Sequence, residues 1–211
     1  MSLKDFIDDI SPLSLYIGGV GKGSSYSGVV KFQKYINEPC SCAVIVGYDF
    51  NVLDVQGGII SQINDIFHDS INYELSTINK KVFKSGATLE TLKLVDVGDR
   101  QFDYVCIDCA CQIDDTYSFD YIKSIALKKT WMSANTENKG IIFKEVRSLF
   151  NDVGEYYEFD ETKRLKDINV YHGTCLDNEE LLKIRPDYIK QLNILPLKLK
   201  NTLLYGRYNK D

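Results

Sequence analysis

The stretch from Leu13 to Gly18 (LSLYIG) is a short apolar run that stops abruptly at glycines, and Gly18-Gly19-Val20-Gly21-Lys22-Gly23-Ser24-Ser25 follows it. A buried strand that feeds straight into such a turn narrows the choice of fold sharply. Glycines at 19, 21 and 23 lack a Cβ, so the backbone can bend tightly and approach a ligand closely. Further apolar, strand-like runs follow at Cys42 to Asp49 (CAVIVGYD), Thr91 to Val97, Asp103 to Asp108 (DYVCID) and Gly140 to Lys144 (GIIFK). Helical spacing separates them over Ser27–Ile36, Ile59–Ile78 and Tyr117–Lys129, and Leu3–Ile10 reads as a short helix before Ser11-Pro12. Arg147–Asp152 reads as a further short helix. Tyr156–Phe159 and Asp167–Thr174 read as closing strands, as an antiparallel pair. Strands alternating with helices predict an α/β fold, with a mostly parallel central sheet and helices on both faces. In such sheets ligands sit at the carboxyl ends of the strands.

The 211 residues suffice for one compact domain, and neither repeats nor a Pro/Gly/Ser linker divides them, so 1–211 is read as a single domain. Within it, 52–88 is read as an inserted helical segment. No apolar run is long enough to span a membrane, and Met1–Ile10 lacks the apolar centre of a signal peptide. A net charge of −5 argues against a protein that coats nucleic acid indiscriminately, although the tail after Glu180 is basic. Cys106, Cys109 and Cys111 form C-x-x-C-x-C without a second Cys/His pair at zinc spacing, so free thiols are expected and no metal site.

The glycine turn and an acid at the end of the second strand, Asp49, suit a nucleoside-containing cofactor, the carboxylate accepting from ribose hydroxyls. Three classes compete. A P-loop needs Gly-Lys followed at once by Ser or Thr; read from Gly21-Lys22, the next residue is Gly23 and Tyr16 stands where the motif begins. A dinucleotide fold needs G-x-G-x-x-G, which neither Gly19 nor Gly21 starts. S-adenosylmethionine, which needs no pyrophosphate cradle, fits G-x-G-x-G best. Asp108 and Lys144, each ending an apolar strand, are expected to point into the same cleft, where a partly desolvated lysine can act as general base.

At this point the chain resembles the cap-ribose 2′-O-methyltransferases of coronaviruses and other nidoviruses. The glycine loop Gly18–Gly28, the run Val46-Gly47-Tyr48-Asp49-Phe50-Asn51, the strand Phe102–Asp108, the strand Gly140–Lys144 and the segment Pro196–Thr202 are similar to that family's motifs, in order. The resemblance implies a Rossmann-like, S-adenosylmethionine-dependent enzyme that methylates the ribose 2′-hydroxyl of the first nucleotide of capped viral RNA. Its catalytic tetrad carries over as Lys4, Asp108, Lys144 and Asp167, with Asp167 standing where the family has Glu. Cofactor contacts carry over as Gly18, Gly19, Gly21, Gly23, Gly28, Asp49, Asn51, Asp96, Asp108 and Cys109, and Lys22 and Lys166 as substrate contacts. Capped RNA is the implied partner, with a small activator protein of the viral replicase as a further candidate, in a replication complex of the host cytoplasm. Two other readings stay open: a P-loop-like nucleotide hydrolase built on Gly21-Lys22, and a catalytically inactive cofactor- or RNA-binding module.

Overall fold

The computed structural model describes residues 3–47, 58–113, 117–137 and 139–210. Its centre is a seven-stranded sheet of β1 (Leu13–Gly18), β2 (Cys42–Gly47), β3 (Lys80–Val82), β4 (Thr88–Lys93), β5 (Phe102–Ile107), β6 (Ala126–Asn135) and β9 (Asn169–Gly173). The spatial order is β3-β4-β2-β5-β6-β1-β9. Among the described residues of this sheet only the edge pair β3–β4 is antiparallel, and the other pairings are parallel. The α/β expectation with a mostly parallel sheet therefore holds. A smaller antiparallel sheet, β10-β8-β7, is built from β7 (Phe150–Val153), β8 (Tyr156–Phe159) and β10 (Tyr208–Asn209).

Alternation along the strands sends successive side chains to opposite faces. From β1, Leu13, Leu15 and Ile17 join Val44, Val105, Ile107 and Met132 in one core. That core is closed by α4 (Phe119–Ser124), by α5 (Ile141–Val146) and by Phe150 and Tyr208 of the small sheet. Tyr16, Ile45, Tyr104 and Trp131 face the other way, under α1 (Leu3–Asp8), α2 (Ser24–Lys31) and α3 (Ile59–Phe67). Gly28 lets α2 lie close to the sheet: a Cβ there would stand 2.9 Å from Cys106 Sγ, and the Trp131 indole donates to Gly28 O at 3.0 Å. A third cluster, Cys175, Leu192 and Leu204, gathers α6 (Glu179–Ile184), α7 (Tyr188–Asn193) and α8 (Leu197–Leu203).

Several local expectations need correction. GIIFK is not a strand: Gly140 starts helix α5, and Ile141, Ile142, Phe143 and Val146 are buried in it. A short apolar run fits a buried helix as well as a strand. The strand in that region is β6, which begins inside the stretch expected to be helical; Ser118 caps α4, which ends at Ser124. Helix α3 ends at Phe67 rather than continuing to Ile78, and Ile71 already bridges to Phe83. The strand expected at Thr91–Val97 lies earlier, at Thr88–Lys93. Arg147–Leu149 is a single 3-10 turn before β7. Strands β8 and β9 do not pair; β9 lies parallel to β1 at the edge of the main sheet.

At the carboxyl end of β1 the backbones of Gly18 and Gly173 run so close that a Cβ on Gly18 would sit 1.8 Å from Gly173 O, and Gly18 has φ +150°. Gly18→Ala is expected to lower unfolding stability by about 3 kcal/mol, the upper end for overpacking. Urea denaturation measures this, and a loss below about 1 kcal/mol contradicts the close approach described.

Candidate functional site

The carboxyl ends of β1, β5 and β6 converge on one polar cluster. After β1 the chain turns through Gly21 (φ +72°) and Gly23 (φ +84°) and enters α2 at Ser24. The first N–H groups of that helix have no intrahelical acceptor and point out of its start. Asp108 follows β5 and is 4% exposed. Its Oδ1 accepts from Ser25 Oγ at 2.9 Å and from Ser133 Oγ of β6 at 2.7 Å. Ser133 Oγ in turn accepts from the Cys109 N–H at 3.1 Å.

Lys22 lies inside the loop, 1% exposed. Its ammonium donates to Asn135 Oδ1 at the end of β6 (2.7 Å) and to Gly19 O (3.2 Å). Burial pulls its pKa down to about 8, against the raising influence of Cys111, Cys109, Asp108 and Glu137. The Cys109 thiol is pushed up to about 12 by burial and by neighbouring Asp108, so it stays protonated at neutral pH. Cys109 has φ 53°, which turns the chain away from the sheet directly behind Asp108. The C-terminal helices close over the loop. Val20 N–H donates to Leu203 O at 3.0 Å, Asn178 Nδ2 to Gly21 O at 2.8 Å, and Thr136 N–H to Gly18 O at 3.1 Å.

The structure thus brings Gly18, Gly19, Gly21, Lys22, Gly23, Asp108 and Cys109 together, and it scatters the other described residues singled out in the sequence. Lys144 is exposed on α5 instead of ending a strand. Lys4 is exposed on α1, although its neighbour Leu3 reaches Gly23. Lys166 and Asp167 are exposed just before β9, whose first residue pairs with Ser14. They therefore lie at the amino edge of the sheet, opposite Asp108. Asp96 is exposed in a 3-10 turn after β4, and Gly28 serves helix–sheet packing. Asp49 and Asn51 lie outside the described residues.

The strand order also opposes the cofactor geometry expected. In a dinucleotide-type site the acid-bearing second strand lies beside the glycine-loop strand. Here β5 and β6 separate β2 from β1, a distance of roughly 14 Å at ordinary strand spacing. Sequence reasoning missed Ser25, Ser133 and Asn135. One signal was present: Gly18-x-x-x-x-Gly23-Ser24-Ser25 has the P-loop spacing, with Ser24 in the lysine's place and Lys22 two residues earlier. Starting the motif at Tyr16 instead of Gly18 hid it.

No protein-family model and no curated protein matches the chain. Among solved structures it is similar to the ATPase domain of the Thermus phage P74-26 large terminase, at TM-score 0.66 and 12% identity over 97% of this chain and 91% of that one. It is also similar to a large terminase from a thermophilic bacteriophage, at TM-score 0.69 and 11% identity over 97% of this chain and 52% of that one. The same bacteriophage terminase in complex with ADP aligns at TM-score 0.65 and 10% identity over 96% of this chain and 48% of that one. The chain therefore spans about half the length of that second terminase. At such identities the likeness establishes the fold. It overturns the resemblance to nidovirus 2′-O-methyltransferases, and with it the S-adenosylmethionine cofactor and the methyl-transfer reaction; capped RNA and an activator protein lose their support as partners. No described helix is long and apolar enough to cross a membrane, and no group of three His, Cys, Asp or Glu side chains among the described residues could hold a metal.

The buried lysine has a pH signature. Its folded pKa lies below the unfolded value of 10.5, so folding expels a proton between pH 8 and 10.5. Stability owed to this group is present above pH 10.5 and lost as pH falls to 8. Relative to Lys22→Met, the wild type is expected to lose about 3 kcal/mol over that window. Urea unfolding of both proteins at pH 7.5, 9 and 10.5 measures it, and parallel pH curves contradict the burial of a charged Lys22.

Proposed function

We propose that the chain binds a nucleoside triphosphate and hydrolyses it. The observation that carries this reading is the meeting of the Ser25 hydroxyl with the Asp108 carboxylate, 2.9 Å apart, at the foot of the glycine loop. In P-loop hydrolases the loop amides and a lysine cradle the phosphates, while the loop's Ser or Thr and an Asp from another strand hold magnesium. Ser25 stands where that hydroxyl belongs when the motif is counted from Gly18. The lysine is displaced by two residues, but its long stem brings the ammonium back to the loop interior beside Asn135.

The start of α2 offers unpaired N–H groups and the positive end of a helix dipole to a phosphate. Lys22 supplies a full charge where negative charge accumulates as the terminal phosphoryl group is transferred. An arriving triphosphate raises the lysine's pKa again, because an adjacent anion favours the ammonium. Ser25 and Asp108 fit a magnesium ion, which takes oxygen ligands from one or two carboxylates and from substrate phosphates. Magnesium bound there would neutralise the β- and γ-phosphate oxygens. Asn135 holds Lys22 in place, and Ser133 fixes the Asp108 carboxylate. The likeness in fold to phage large terminases supports reading the chain as an ATPase of the large-terminase kind.

ATP with magnesium at 100 times its Kd is expected to stabilise the protein by about 2.7 kcal/mol. S-adenosylmethionine is expected to leave the melting temperature unchanged, and Lys22→Ala and Asp108→Asn are expected to lose most of the ATP shift. Differential scanning fluorimetry reads all four. Stabilisation by S-adenosylmethionine and none by ATP would sink the hydrolase reading.

A further inference from the structure

Hydrolysis at this site needs a group that orients the attacking water, and the residue next to Asp108 does not provide one. Cys109 stays a neutral thiol at physiological pH. Asp108 is engaged by two hydroxyls and faces the metal position. We propose that Glu137 is the carboxylate that positions this water, an assignment that rests on the hydrolase reading above. Glu137 lies two residues beyond Asn135, whose amide holds the Lys22 ammonium at 2.7 Å. The residue between them, Thr136, is buried and tied on both sides. Its N–H donates to Gly18 O at 3.1 Å and its hydroxyl to Thr202 O at 3.2 Å. The turn that presents Glu137 is therefore anchored to the phosphate-binding loop and to α8 at once.

Glu137 itself is exposed and lines a cavity of about 510 Å³ together with Thr136, Lys139, Leu203 and Tyr208. Among the described carboxylates, it and Asp108 are the two whose charges act most on Lys22. With Asp108 on the metal side, the assignment sets the Glu137 carboxylate toward the outer end of the triphosphate. In the step assigned to it, the water oxygen bonds to the γ-phosphorus while the bond from that phosphorus to the β–γ bridging oxygen breaks. The bond's electron pair leaves with ADP. The water's proton passes to the Glu137 carboxylate and from there to the released inorganic phosphate. A general base in this role contributes about 100-fold or more to rate.

The test measures single-turnover release of phosphate from γ-labelled ATP with magnesium, alongside equilibrium binding of ATP, for the wild type, Glu137→Gln and Glu137→Asp. Glu137→Gln is expected to hydrolyse about 100-fold more slowly, with ATP affinity and melting temperature unchanged, and Glu137→Asp to recover part of the rate. A Glu137→Gln rate equal to the wild type's, or a loss explained wholly by weaker ATP binding, overturns the assignment. So does a wild type that binds ATP but turns it over no faster than the variant. Absence of ATP binding by the wild type strikes the hydrolase reading itself, which separates the two failures.

Discussion

Asp108 keeps a carboxylate at 4% exposure, where an unpaired charge would be very costly. Two hydroxyls from different segments make that burial tolerable: Ser25 at the start of α2 and Ser133 near the end of β6 both donate to the same oxygen. The arrangement therefore ties three pieces of chain together, 83 and 25 residues apart in sequence. Each piece brings its own neighbour to the same place. Ser25 brings the glycine loop, Ser133 brings Asn135 two residues on, and Asp108 brings the backbone N–H of Cys109, which closes back on Ser133. The polar cluster at the carboxyl edge stands or falls with that carboxylate.

Lys22 shows the opposing side of the same design. Its ammonium is satisfied by Gly19 O and Asn135 Oδ1, both acceptors of the protein itself, yet burial still pulls its pKa to about 8. Replacing a buried charged group by an apolar side chain of similar volume is often neutral or stabilising. In the interior of a glycine loop Lys22 is placed to engage the anionic ligand proposed above. That anion must compete with two modest acceptors, and phosphate oxygens offer stronger, charge-assisted bonds than a carbonyl or an amide. The C-terminal helices add to the burial, since Leu203 O occupies the Val20 N–H and Leu181 and Tyr188 crowd Gly21.

Much of this was legible in the residues. Strand β1 falls where the apolar run Leu13–Gly18 ends in glycines, and β2 and β5 follow from CAVIVG and FDYVCI, because buried parallel strands read as unbroken apolar runs. Strand β6 was illegible for the same reason turned round. It opens with Ala126, Leu127, Lys128 and Lys129 and carries Thr130 and Ser133 in the middle of the sheet, so its pattern mimics a polar helix. Helix α5 was misread because IIF is as apolar as any strand. Within the site, Asp108 and the glycines were found and their ligand misjudged. Ser25, Ser133 and Asn135 are small polar residues whose importance lies in which strand ends meet, and spacing along the chain does not encode that.

Strand order is where the methyltransferase resemblance lost contact with the molecule. A glycine turn after the first strand, an acid after the second and charged residues ending later strands are what any open α/β sheet places at its carboxyl edge, because that edge is where the strands meet solvent and ligands. Such motifs can match in order while the strands beneath them are arranged differently. Here β6 lies between β1 and β5, so the loop and Asp108 face each other across one strand, and that strand's end supplies Ser133 and Asn135 to fill the gap. Strand β2 itself stands two strands further from the loop than a neighbouring strand would. What the described residues place beside the loop is a hydroxyl, a carboxylate and an ammonium, a set that suits the phosphate end of a ligand.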